Sequence, residues 1–344
     1  MFLKRMIPAV GVALALGVAA CGGGDDDSTS ADATPTATTT AASSGDSGAP
    51  VKIAVSVPAA DHGWLKAVAE DAKKAGDDLD GVDMTLNDSA ANSADQADQI
   101  ETLIAEKPDA LVVLPFEGDA LTPVAQKATA AGIPVINIDR EFSTPGAFRT
   151  WIGGDNYGIG WQAGNFFADQ LKCKGNIVEI QGLAGISVTE DRSKGFADAI
   201  QGRCKGGLKI VAQQPADFDP AKGLSVMENI LQAQKQIDGV YTHDDDMAEG
   251  VVSAIQNAGR EDEMFLTGAG GSKAAMDQIE KGGLYRATFL YNPTMAASAV
   301  NLAALIARGQ GMQDLTEPEV PSRIQVPATT VTKDNVADVK NLAY

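Results

Sequence analysis

The sequence predicts an α/β protein of two lobes, each a parallel sheet with helices packed on both faces. Three observations carry this. The chain has 344 residues, 44% of them hydrophobic, which is enough for two ordinary domains with substantial cores. From Val51 onward, short runs rich in β-branched residues are apolar throughout instead of alternating, as in strands buried on both faces. Most of these runs are followed by a longer segment with helical spacing, the β–α alternation that parallel sheets need.

In chain order, strands are predicted over residues 51–57, 82–88, 110–116, 134–140, 150–153, 176–181, 208–213, 239–242, 264–267, 286–291 and 323–332. Helices are predicted between most of them, at 64–78, 93–106, 119–131, 157–171, 221–234 and 247–258. Right-handed crossovers place every strand-to-helix loop along the carboxyl edge of its sheet, where ligands of open α/β sheets bind. That edge collects the unusual residues. Asp61-His62-Gly63-Trp64 follows the first strand, and Asp139-Arg140 ends the fourth. Gln181 and Arg192 flank a later loop, Phe218 follows the seventh strand, and His243-Asp244-Asp245-Asp246 follows the eighth. Both histidines of the chain fall there, one in each half, which fits a cleft between two lobes.

Ahead of this body, Lys4 and Arg5 precede an apolar run over residues 6–20. The run is shorter than the roughly 20 residues needed to span a bilayer, so residues 1–21 read as a secretory signal. Val18-Ala19-Ala20-Cys21 resembles a bacterial lipoprotein cleavage site, which implies lipid attachment at Cys21 and a membrane anchor. Residues 22–50 are rich in Gly, Asp, Ser, Thr, Ala and Pro and lack Ile, Leu, Val and aromatic residues. Such a segment cannot bury enough apolar surface to order itself, so a flexible tether is expected. The formal net charge is −19, from 27 Lys and Arg against 46 Asp and Glu. This argues against a nucleic-acid partner. Cys173 and Cys204 each precede a strand of the second half, and in an exported protein a disulfide between them is expected.

Two patterns look like chemistry and are read otherwise. Neighbouring residues at a strand end point to opposite sides, so His243 to Asp246 cannot easily converge on one ion. Asp244 is expected to face a ligand, His243 to stand behind it, and Asp246 to cap the next helix. Gly268-Ala269-Gly270-Gly271-Ser272-Lys273 lacks P-loop spacing and reads as a tight turn that lets backbone approach a ligand. No metal and no cofactor are implied.

Several stretches together make the chain similar to the type I periplasmic sugar-binding proteins of ABC importers, especially the ribose-binding group. They are Ile138-Asp139-Arg140-Glu141, Gly154-Asp155-Asn156, Glu179-Ile180-Gln181-Gly182-Leu183-Ala184-Gly185, Asp191-Arg192 with Gly195-Phe196, Gln214-Pro215-Ala216-Asp217-Phe218-Asp219 and Asp245-Asp246-Met247-Ala248. The resemblance implies two Rossmann-like lobes joined by three hinge strands. The first lobe would be residues 51–155 plus 292–321, and the second 156–291 plus 322–344. It implies that Asp139, Arg140 and Arg192 hold hydroxyls, that Trp64 and Phe218 cover a sugar ring, and that His62 makes a polar contact. Three positions depart from the ribose group: Asp244 stands for Asn, Gly270 for a ligand-binding Asp, and Tyr291 for Gln near the hinge. Gly270 is expected to leave room that the ribose group fills with a carboxylate.

The expected function is therefore an extracytoplasmic lipoprotein that binds a monosaccharide or sugar alcohol between its lobes and delivers it to a membrane ABC permease, without catalysis and as a monomer. Carboxylates and guanidinium groups in one pocket satisfy hydroxyls as acceptors and donors, and aromatic rings cover C–H faces. Two alternatives are a sugar-sensing subunit for a membrane receptor and an extracytoplasmic carbohydrate-active enzyme using the two histidines. No nucleophile elbow, HExxH or cofactor fingerprint supports the enzyme.

Overall fold

A computed structural model describes residues 50–312 and 319–344; the predicted signal, Cys21 and all but the last residue of the predicted tether lie outside the described residues. The first half runs β1 (Val51–Pro58), α1 (Gly63–Asp78), β2 (Val82–Ala90), α2 (Ser93–Ala105), β3 (Ala110–Val113), α3 (Gly118–Ala130), β4 (Val135–Ile138) and β5 (Thr150–Gly154). The second repeats the plan with α4 (Asn156–Gln170), β6 (Gly175–Gln181), α5 (Ser187–Cys204), β7 (Leu208–Pro215), α6 (Pro220–Ala233), β8 (Gly239–Thr242), α7 (Asp245–Asn257), β9 (Phe265–Thr267), α8 (Lys273–Lys281) and β10 (Tyr285–Phe289). Then come α9 (Met295–Ala307), β11 (Arg323–Val326), β12 (Thr330–Thr332) and α10 (Val336–Val339).

Two six-stranded sheets result, ordered β11-β5-β4-β3-β1-β2 and β12-β10-β9-β8-β6-β7. All pairs are parallel except β10 with β12. The strand pattern explains the layers. In β1, Ile53, Val55 and Val57 pack on one face with Leu65 and Val68 of α1 and Val300 of α9. Ala54 faces the other way, with Ile100 and Leu103 of α2 and Leu121 and Val124 of α3. Inner strands β3, β4 and β8 are buried at every residue, whereas edge strands β2 and β7 are mixed, as double coverage requires. The order reverses between β1 and β3 in the first sheet and between β6 and β8 in the second. Those are the switch points where the carboxyl ends open a crevice.

Two of the boundaries that differ from the sequence reading bear on the site. The predicted strand 134–140 stops at Ile138, because Asp139 takes a left-handed backbone with φ of 60°, and Asp139 and Arg140 turn out of the sheet. The predicted run 323–332 is two strands. β11 pairs with β5 of the first sheet, Arg323 opposite Trp151, and β12 pairs with β10 of the second. Pro327 separates them; without an N–H it cannot extend a ladder. Residues 322–326, expected in the second lobe, therefore belong to the first sheet, and the last crossing lies at 327–329.

The chain passes between sheets three times, after β5, after β10 and after β11, and the crossings bond to one another. Asp155 N donates to Val326 O at 2.9 Å, and Leu290 N to Thr329 O at 2.9 Å. In the second half, Cys173 and Cys204 form a disulfide that joins the turn after α4 to the end of α5. These two helices cross closely: a Cβ at Gly160 of α4 would lie 2.0 Å from the carbonyl oxygen of Arg192 in α5. Gly160→Ala should therefore push α5 away, costing about 1–3 kcal/mol by overpacking and displacing Arg192. A urea unfolding midpoint equal to wild type would contradict that packing.

Candidate functional site: an interlobe cavity

The cavity lies where the carboxyl edges of the two sheets face each other. It is lined by His62, Trp64, Asp139, Arg140, Val188, Arg192, Phe218, Asp244, Ala269, Gly270 and Tyr291. All nine residues singled out from the sequence as ligand contacts are thus brought together. Val188 and Ala269 were not foreseen. Val188 was legible in principle, being one helical turn before Arg192 on the same face of α5. The space, open mouth included, is about 340 Å³.

From the first lobe, the β4 turn aims Asp139 and Arg140 inward, both nearly buried. Arg140 Nη1 donates to Phe116 O at 2.6 Å, and its Nε lies 3.8 Å from Asp139 Oδ2. The Tyr291 hydroxyl, on the second crossing, donates to Asp139 Oδ1. Burial foremost, then the Asp139 charge, hold that phenol protonated. Trp64, in the first turn of α1, donates its indole N–H to Tyr291 O at 2.7 Å. His62, just before it, bonds Asp61 through Nδ1.

From the second lobe, Arg192 donates through Nε to Asn156 Oδ1 at 3.0 Å and through Nη1 to the His243 carbonyl, and its guanidinium lies 4.8 Å from the Tyr291 ring centroid. Asn156 also donates to the Tyr291 hydroxyl at 3.3 Å. Asn156, at the end of the Gly154-Asp155-Asn156 stretch, thus ties Arg192 to Tyr291, a role the sequence pattern does not reveal. Phe218 faces His62 across the cavity mouth, with ring centroids 5.9 Å apart. Its φ of 64° is costly for an aromatic residue, the kind of strain that gathers at ligand sites.

The Asp cluster diverges, and one of its roles falls elsewhere than expected. Asp244, which lines the cavity, also caps α7 in place of Asp246: its Oδ1 accepts Met247 N at 2.8 Å. The helix starts two residues earlier than a cap at Asp246 needs, so the first of the three carboxylates meets the helix start. Asp245 accepts Gly271 N, Ser272 N, Tyr285 Oη and Thr288 Oγ1 within 2.6–2.9 Å and so fixes the glycine turn. Asp246 reaches into the other lobe, accepting Trp64 N at 3.0 Å. Three neighbouring carboxylates pointing three ways cannot share an ion. Among the described residues no three His, Cys, Asp or Glu side chains gather to hold one. At Gly270, with φ of 132°, a Cβ would lie 2.8 Å from Tyr344 Oη. The room expected there is therefore partly filled by the C-terminal tyrosine.

Behind Asp244, His243 and Glu179 are wholly buried, with Nε2 and Oε1 2.9 Å apart. Burial opposes the Glu179 charge, but His243, Ser193 and Gln213 all donate to it and hold its pKa below the usual range. Burial, with Arg192 nearby, pushes the His243 pKa down. A neutral imidazole also agrees with its partnerless Nδ1, which would otherwise be an orphan buried donor.

Burial pushes the Asp244 pKa up to about 7, against the pull of His62. A carboxyl raised in the folded state binds protons the unfolded chain has released, so its contribution to stability falls as pH climbs from about 4 to about 7 and is level above. Burial lowers the His62 pKa, but the bond to Asp61 and the charges of Asp244 and Asp246 outweigh it and raise the value. Stability from His62 is therefore also present at acid pH and lost on the alkaline side. Asp244→Asn keeps the cap acceptor and removes the titration. Its melting temperature should gain on wild type as pH rises from about 4 to about 7, and a difference independent of pH would contradict the placement.

The chain is similar to known binding proteins. A model of the periplasmic binding protein domain matches residues 53–311. The ribose import binding protein of Bacillus subtilis is 33% identical over 239 residues, covering 70% of this chain and 74% of that protein. The D-apiose import binding protein of Actinobacillus succinogenes is 34% identical over 239 residues, covering 69% and 76%. An ABC transporter solute-binding protein from Bacillus halodurans, solved with bound myo-inositol, superposes with a TM-score of 0.77 at 26% identity, covering 86% of this chain and 99% of that one.

Proposed function

The chain belongs to the periplasmic binding protein family, and on that premise we propose that it binds one monosaccharide or sugar alcohol in the interlobe cavity and hands it to a membrane ABC permease. The observation that carries this is the convergence of side chains from both lobes on one cavity, whose lining includes Asp139, Asp244, Arg140 and Arg192 and aromatic rings at Trp64, Phe218 and Tyr291. Charged groups of both signs supply acceptors and donors to hydroxyls, while the rings cover the apolar faces. Similarity to the ribose and D-apiose import binding proteins, and to a solute-binding protein solved with bound myo-inositol, supports trying pentoses and cyclic polyols first. Closure is driven by the ligand's greater affinity for the closed form. The protein acts by binding alone, as a monomer, moored through lipid at Cys21 after removal of the signal.

A thermal-shift screen over pentoses, hexoses, inositols and linear polyols tests the reading. A sugar at about 100 times its Kd should raise the melting temperature by about 5 °C. Consumption of a sugar, with or without added metal, would favour an enzyme instead. No shift from any of them would remove the carbohydrate reading.

A further inference from the structure

Helix α1 begins without a cap of its own. Its N-cap residue, His62, makes no side-chain bond to the first turn; the ring bonds Asp61 instead. The N–H of Trp64, second residue of the helix, is satisfied from the other lobe by Asp246 Oδ2 at 3.0 Å. Asp246 is available because Asp244 already caps α7. The Tyr344 hydroxyl steadies the same oxygen at 3.4 Å. The approach depends on Gly63, where a Cβ would lie 2.9 Å from Asp246 Oδ1.

We propose that Asp246 is a positioning residue for lobe closure: it caps the first-lobe helix from the second lobe, and this bond, present only when the lobes are together, weights the ligand-free protein toward the closed arrangement. The inference rests on the reading of the cavity as a site that closes by lobe movement. A carboxylate at a helix N-terminus is favoured both by the free N–H groups and by the helix dipole. Loss of such a cap shifts a two-state equilibrium by about fivefold. Asp246 does not line the cavity, so it acts on the closing step common to every ligand and leaves the choice among them to the cavity.

The test compares wild type, Asp246→Ala, Gly63→Ala and the double variant by small-angle X-ray scattering without sugar, then by calorimetric titration with D-ribose, D-apiose and myo-inositol. Each single variant should show a larger radius of gyration than wild type, and the double variant no larger than either. Affinity for whichever probe binds should fall in proportion to the closed population lost, by up to about fivefold. Gly63→Ala should melt no lower than wild type, since alanine favours a helix over glycine, which separates lost closure from a damaged fold. Equal radii in all four proteins, or additive effects in the double variant, would overturn the proposal. If neither these probes nor any sugar or polyol of the thermal-shift screen binds wild type while the radii change as described, the proposed function fails and the cap stands. If a probe binds and the radii do not differ, the cap fails alone.

Discussion

Asp139→Ala is expected to weaken sugar binding by at least about 100-fold, and to lower the stability of the ligand-free protein as well. The carboxylate has two duties. It accepts the Tyr291 hydroxyl and stands beside the Arg140 guanidinium, both in a nearly buried setting. Removing it leaves a buried cation without its partner, a loss on the order of 3–5 kcal/mol, and deprives a bound hydroxyl of its acceptor. Asp139→Asn separates the duties, since it retains the volume and a carbonyl acceptor for Tyr291. That variant should lose less stability than Asp139→Ala, because Tyr291 keeps an acceptor, yet it still leaves Arg140 without its countercharge. It should also lose most of its sugar affinity, because an amide cannot accept at both positions. Calorimetric titration with the sugar found by the screen, beside urea unfolding of the ligand-free proteins, reads both quantities. Wild-type affinity in Asp139→Asn would place the ligand away from this carboxylate.

The second large effect concerns the bridge between Cys173 and Cys204, 31 residues apart in sequence. Closing a loop of that length restricts the unfolded chain by about 4 kcal/mol in the entropic account. The replacement Cys173→Ser with Cys204→Ser should therefore lower the unfolding free energy by a similar amount, visible as a shift of the urea midpoint. The bridge also ties the far ends of α4 and α5, the pair whose close crossing sets Arg192 at the cavity. Some loss of sugar affinity should accompany the loss of stability. Free thiols in the exported protein, or an unchanged midpoint, would refute the assignment.

Much of the architecture was legible because strands buried on both faces leave an unmistakable run of apolar residues. Ala110 to Val113, Val135 to Ile138 and Gly239 to Thr242 are such runs, and each lies inside its sheet. Loops at a carboxyl edge then had to hold His62, Asp139 and Asp244. The partners of those residues were harder to foresee. Arg192 sits within a charged helix, and Tyr291 on a crossing segment. Position beside a carboxyl-edge loop drew attention to Arg192, but its role, and Tyr291 altogether, came only from the family pattern, since nothing local says that a helical arginine is buried. The cap at Asp244 instead of Asp246 escaped because three identical residues in succession offer three registers for one cap. Which one is used depends on where α7 starts, a tertiary decision. Tyr344 escaped for a similar reason, since its place beside Gly270 is set by β12 and α10, not by any nearby pattern.

The three bonded crossings between the sheets bear on how the molecule can move. One connecting strand would act as a swivel, and two would still permit twisting. Three that hydrogen-bond side by side resist both torsion and sliding, and leave rotation about a single axle as the soft coordinate. Ligand occupancy is thereby converted into one angle, so that a membrane receiver touching the outer tips of both lobes needs to gauge only their separation to tell a loaded carrier from an empty one.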